Sequence, residues 1–433
     1  MALIETEGVE TVPENKRTKG FWEILALWAG FSIVITNFLL GSLTVEAGLV
    51  AGLIAATISI LAVGIIVYFG TKIAAKEGTA GTTAMRAPFG VQGRVIPATA
   101  VVIAGIGWFG VQTGIVAEST QLILSNFGYD IPFALLAAIL GTLMAVVAVF
   151  GYRWIEWLNR LAVPIMTVLL GLVVYQIWVN YSVDFSGAGS GEMSFWAALN
   201  IIPAATAAYL IIAMDYGRYG SSSSSSAAGY GASVAWVVFC LVLAAVGIFA
   251  AAVAGTWNPV EIMVELGLGT AGLLLLVLGS ATTNVTNVYI SGIGLSQITG
   301  TRRLLMTTLA GLFGTVLAVV GIFSFGGIES FLETLTITLV PTTGILLVHY
   351  YVIEGGLDTD QLFKKGGKYW YLNGWNPTAV IAWAIGAGYA VAAPTWLVPA
   401  LTSAVIAGII YYGLHAPVSD RLGIGISESE SAT

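Results

Sequence analysis

Twelve stretches of roughly 20 mainly apolar residues, the length that crosses a bilayer as a helix, divide this chain almost from end to end. They lie near 22–43, 49–70, 97–124, 132–150, 161–180, 195–214, 231–254, 268–297, 304–323, 330–353, 377–394 and 397–414. In hydrocarbon every backbone N–H and C=O must be paired inside the protein, so helices cross and loops stay outside. Of 433 residues only 9% are charged, against about a quarter in a soluble protein. The expected fold is an all-α integral membrane protein of twelve transmembrane helices, with no soluble domain.

The charges support that count. With twelve spans, all sixteen Lys and Arg residues fall in the tails or the even-numbered connections. The opposite side carries acids instead: Glu46, Asp130, Asp184, Glu192, Glu261 and Glu265. Eleven or thirteen spans would scatter this pattern. The positive-inside rule then predicts a multi-pass protein of the plasma or inner membrane with both termini cytoplasmic. Residues 1–21 read as an N-terminal tail and 415–433 as a C-terminal one. The first lacks the apolar core of a cleavable signal. The run Ser221–Ser226 reads as a flexible, solvated linker. The net charge of −7 sits largely in the tails and outer loops. It points to no nucleic acid, and no obligatory protein partner is evident besides the bilayer.

Catalysis finds little support. Cys240 is the single cysteine, so no internal disulfide forms. His349 and His415 are far apart, and no HExxH, GxSxG or metal-ligand spacing occurs. No acid, base and nucleophile cluster together, so the chain is expected to be neither an enzyme nor a cofactor carrier. A channel would need polar residues along the whole length of its lining, whereas here they concentrate in the middle spans.

The eighth window holds GSATTNVTNVYISGIGLSQ at 279–297. At about 100° per helical residue, Ser280, Asn284, Asn287 and Ser291 share one face, with Thr283 and Thr286 beside it. Such a face either glues helices together or lines a cavity for an ion or a polar solute. In the third window Trp108 and Gln112 are four apart and share a face, thinned by Gly105, Gly107 and Gly110. An indole beside an amide either packs ordinarily or stacks on a flat ring and grips its edge. Gly30 and Ser32 interrupt the first window and Pro203 the sixth, the corresponding positions of two five-span repeats. Broken helices at such positions bind coupling ions through freed carbonyls. Glu118 is the carboxylate well inside a span and either carries a proton or pairs with a hydroxyl. Asp215 and Arg218 read as an inner-gate or structural pair. Thr206 and Tyr209, one turn apart, are candidates for a central cavity.

GWFGVQTG at 107–114, RAPFGVQG at 86–93, DYGRYG at 215–220 and TTNVTNVYISGIGLSQITG at 282–300 resemble the nucleobase:cation symporter-1 family. The bacterial cytosine permeases are the nearest in look. The resemblance spans about 16–415. It implies two inverted five-helix repeats, about 22–180 and 195–353, of the leucine-transporter type. Two extra helices at about 377–414 complete a 22–414 transporter domain. It further implies alternating-access import of a nucleobase, hydantoin or allantoin by cation symport, with Na⁺ the expected coupling ion and H⁺ the alternative. An amino-acid transporter of the same superfamily is the other reading. Matched motif to motif, the Na⁺ ligands would be Gly30, Ile33, Gly279, Thr282 and Thr283. Trp108 would be the stacking residue, with Gln112, Asn284 and Asn287 reading the substrate edge. Gly105 stands where the cytosine permeases carry Gln. Thr206 stands where the family has a second stacking aromatic, for which Tyr209 is a candidate substitute.

Overall fold

The computed structural model describes residues 11–150, 168, 170–181 and 193–422. Part of the fifth window, both tail ends, and Arg153, Arg160, Asp184 and Glu192 lie outside the described residues. What is described is helical, with two isolated bridges and no strand.

The first window forms two helices, α1 (Phe21–Ser32) and α2 (Ile35–Thr44). Together with the turn to Ala47 they bend by 64° at a short break. The break is chemically supported. The Ser32 carbonyl accepts the Val34 N–H at 3.0 Å and the Asn37 Nδ2 at 2.7 Å, so one of the carbonyls at this helix end is met inside the protein. Next come α3 (Leu49–Glu77), two short helices α4 (Gly81–Ala84) and α5 (Arg86–Phe89), α6 (Val95–Asn126) and α7 (Phe133–Phe150). After α8 (Leu170–Asn180) the sixth window is again two pieces, α9 (Phe195–Ala205) and α10 (Tyr209–Gly217). Pro203 lacks the N–H that a continuing helix needs. Thr206, the residue directly after α9 and three beyond Pro203, sends both its N–H and its hydroxyl back to the Ile202 carbonyl.

The second half comprises α11 (Ser225–Ala254), α12 (Pro259–Glu265), α13 (Gly269–Thr299), α14 (Arg303–Val319), α15 (Phe325–Val348), α16 (Pro377–Ala392) and α17 (Pro399–Leu422). Asn–Pro pairs start α12 and α16, where Asn258 and Asn376 accept backbone N–H groups as N-caps and Pro fits the first turn. Gly300 ends α13 at φ 69°, a left-handed cap that favours glycine. A π turn over His349–Glu354 extends α15. α17 runs beyond 414 to Leu422, with no glycine over 414–422 to stop it.

The helices pack as three groups. α1, α2, α3, α10 and α11 contact one another; α6, α7, α13 and α14 form a second set; α15, α16 and α17 a third. Glycines set the closest approaches in the first group. A Cβ on Gly41 would fall on the Ala244 carbonyl, and one on Gly247 on the Phe38 carbonyl. Small residues let membrane helices approach this closely. Gly41→Ala is therefore expected to push α2 off α11 at about 1–3 kcal/mol, lowering the melting temperature in detergent. Gly388→Ala, which meets nothing within 4 Å, is the control and leaves it unchanged or slightly raised.

The serine run is not a loose linker. Ser222–Ser224 form a 3₁₀ turn and Ser225 opens α11. Ser222 donates to Glu14 at 2.9 Å, and Ser221 N–H bonds the Lys19 carbonyl at 2.9 Å. Residues 12–20 lie across this turn and across the end of α3, where Arg17 Nη1 donates to the Lys76 carbonyl at 2.7 Å. Serine is suited to turns and helix starts because its hydroxyl can bond nearby backbone.

Candidate functional site

A buried polar seam lies between α6 and α13. Asn284 is fully buried, and its Nδ2 donates to the Phe109 carbonyl at 3.1 Å and to Thr113 Oγ1 at 2.9 Å. One turn along α6, Gln112 is 2% exposed and its Nε2 donates to Thr36 Oγ1 at 3.1 Å. Thr36 belongs to α2, just past the break. Gln112 therefore ties the second helix group to the broken helix of the first. Each amide keeps a buried carbonyl oxygen with no hydrogen-bond partner among the described residues: Gln112 Oε1 and Asn284 Oδ1. Ser280 Oγ and Ser32 Oγ are in the same position. An unmet buried acceptor costs about 1–3 kcal/mol. The two amide oxygens can each accept a hydrogen bond from a bound donor.

Trp108, on the same helix, is half-buried. Its ring neighbour is Phe331 of α15, edge-on at 5.4 Å and 83°. Phe331 also fills the space that a side chain on Gly107 would need. The two hydroxyls of the implied ion set lie in one turn of α13: Thr282 Oγ1 and Thr283 Oγ1 each donate to the Gly279 carbonyl at 3.1 Å. Gly30 and Ile33 flank the break; a Cβ on Gly30 would meet nothing within 4 Å, and Ile33 is 41% exposed. α13 touches α2, the half-helix beyond that break. Asn287 is half-buried on the same helix, and its carbonyl takes the Ser291 hydroxyl at 2.8 Å.

Other expected residues lie apart from this seam. Tyr209 sits among Trp28, Phe31 and Trp236, at ring distances of 6.1, 5.6 and 4.8 Å. Thr206 is buried and bonded to its own helix at 2.7 Å. Glu118 accepts Asn258 Nδ2 at 2.9 Å, which fastens α6 to the start of α12. Asp215 accepts the Gly81 N–H at 2.9 Å, and Arg218 donates to the Tyr219 hydroxyl at 3.2 Å while lying over its ring. Sequence reasoning missed Thr36, Thr113 and Phe331. Thr113 follows Gln112 directly and could have been found by testing which α6 residues face Asn284. Phe331 carries no signal of its own.

Comparison with known proteins places this architecture. The family described as permease for cytosine/purines, uracil, thiamine and allantoin matches residues 11–412. The cytosine permease of Escherichia coli strain K12 is 27% identical over 383 residues, covering 85% of this chain and 84% of that one. The hydantoin permease of Microbacterium maritypicum is 26% identical over 440 residues, covering 93% and 86%. Among solved structures, inward-facing Mhp1 superposes with a TM-score of 0.84 at 18% identity, covering 99% of this chain and 97% of that chain. Mhp1, a nucleobase-cation-symport-1 transporter, closed with bromovinylhydantoin bound, gives 0.78 at 20% identity and 98% coverage of both. A Na⁺-coupled sialic acid symporter gives 0.58 at 12% identity, covering 93% and 91%. The chain belongs to the cytosine/purine, uracil, thiamine and allantoin permease family, and it is a multi-pass membrane transporter rather than an enzyme.

Proposed function

We propose that the chain imports a flat, polar nucleobase-like heterocycle by symport with Na⁺, alternating access between the two sides of the membrane. The observation that carries this reading is the pair of buried, unmet amide oxygens, Gln112 Oε1 and Asn284 Oδ1, on α6 and α13, the first of which also carries Trp108. Ring N–H groups supply the donors those oxygens need, and the indole supplies a face for stacking. The relatives named for cytosine and for hydantoin carry rings of that kind in their names, which supports the class and leaves its members to be separated by experiment.

For the ion, the oxygens of Gly279, Thr282 and Thr283 lie within one turn, and the break at Gly30–Ile33 frees further carbonyls. Neutral hydroxyl and carbonyl oxygens form a hard donor set suited to a small monovalent cation. One Na⁺ entering down 100 mV yields about 2.3 kcal/mol, and a tenfold Na⁺ gradient adds about 1.4 kcal/mol. That concentrates a neutral substrate on the order of several hundredfold, enough for a scavenging importer.

Twelve spans in two inverted repeats are part of this reading. Six long apolar helices, the bent α1–α2 pair and five shorter apolar helices fall on the twelve sequence windows. The breaks in the first and sixth windows stand at corresponding places of two five-span units. The basic residues then mark the cytoplasmic side of a plasma or inner membrane, with both termini there.

The test is a thermal-shift screen of the purified protein with cytosine, uracil, uric acid, allantoin, hydantoins and hydroxymethylpyrimidine, each in Na⁺ and in choline. A ligand that binds only the folded state raises the melting temperature. Stabilisation by one heterocycle, larger in Na⁺, is the expected result. Stabilisation independent of Na⁺ moves the coupling ion to H⁺ and makes Glu118 the first residue to replace. No response to any heterocycle sinks the substrate class.

A further inference from the structure

The connection 78–94, which carries the RAPFGVQG motif, is held by two different helix groups. Its first half goes with the first group. α4 contacts α10, the Gly81 N–H donates to Asp215 Oδ1 at 2.9 Å, and a Cβ on Gly81 would collide with the Ile211 carbonyl. Its second half goes with the third group. α5 contacts α15, α16 and the Lys368–Trp370 turn. The 369–376 segment grips it by backbone bonds: Val91 N–H to Tyr369 O at 3.1 Å, Gln92 N–H to Gly374 O at 2.8 Å, and Asn376 N–H to Phe89 O at 2.8 Å. Side chains add to the grip. Asn376 Nδ2 donates to the Pro88 carbonyl at 2.7 Å, Tyr371 Oη to the Ala87 carbonyl at 2.7 Å, and Arg86 Nη1 to the Leu362 carbonyl at 3.2 Å.

We propose that Met85, the single residue between α4 and α5, is the joint between two separately anchored halves of this connection. Asp215 acts there as a hydrogen-bond acceptor that positions the first half. Any relative movement of the first and third helix groups meets a chain segment fixed to both. A few residues at the ends of short elements absorb such movement. The part this joint plays in transport rests on the functional reading above; the two-anchor arrangement does not.

Amide-resolved hydrogen exchange on the full chain in lipid nanodiscs tests it without any substrate, because separately anchored segments open separately. Asp215→Ala is expected to speed exchange at 79–84 at least tenfold and to leave 86–93 within about twofold of the parent. Tyr371→Phe, which removes one hydroxyl, and Asn376→Ala are expected to do the reverse. Asp215→Asn keeps an acceptor for the Gly81 N–H and is expected to match the parent. The proposal is overturned if both halves respond together to either change. It is equally overturned if Asp215→Asn behaves as Asp215→Ala, since the charge toward Arg218 would then be what matters. A negative thermal-shift screen with heterocycles leaves this result standing, so the two ideas fail independently.

Discussion

Trp108→Ala is expected to weaken heterocycle binding by about 5- to 150-fold, the equivalent of the ~1–3 kcal/mol that a stacked base loses with its aromatic platform. The protein is expected to stay folded, because Trp108 is only half-buried and truncation there empties no sealed core position. Phe331 remains against Gly107 and holds the local packing of α15 on α6. Trp108→Phe keeps an aromatic face and is expected to lose less. The measurement is the ligand-induced melting shift, titrated against cytosine and a hydantoin. An affinity unchanged in the alanine variant would remove Trp108 from the site and leave the indole as packing against Phe331.

Thr283→Ala is the second large effect. Its hydroxyl and that of Thr282 converge on the Gly279 carbonyl, so one substitution takes an oxygen from a compact set. A hydrogen-bonding group facing a charge contributes about 1.5–3 kcal/mol. The Na⁺ concentration for half-maximal ligand stabilisation is therefore expected to rise on the order of tenfold to a hundredfold. Thr283→Ser keeps the hydroxyl and is expected to stay within a few-fold of the parent. Stabilisation by the heterocycle at saturating Na⁺ is expected to survive. A Na⁺ response identical in all three proteins would argue that protons drive the cycle.

Much of the fold was legible because a bilayer permits few structures. The apolar helices and the Gly–Ser and Pro interruptions each follow from local chemistry, and the breaks appear at Ser32–Ile35 and Thr206–Tyr209. The polar face of α13 was legible for the same reason, since amides in a greasy window demand partners. Which partners they take was not. Asn284 finds Thr113, and Gln112 finds Thr36, across distances of 171 and 76 residues in sequence. Nothing local encodes such pairings. Nor does its place in the sequence reveal that Tyr209 lies in the aromatic cluster around Trp28 and Trp236. The serine run misled because composition speaks for flexibility while Glu14, 208 residues away, gives Ser222 a fixed partner.

The Asn37 bond to the Ser32 carbonyl bears on how much recognition at the break has to accomplish. A buried helix end is ordinarily a deficit that an arriving ligand must make good. Here the chain's own amide supports it, from a residue that is 1% exposed and so fixed by its surroundings. The break is thus pre-organised, and the cation proposed above would spend none of its binding free energy there on unwinding. On that reading, selectivity would be left to the fit of size and charge, and weak binding would be compatible with rapid release on the far side.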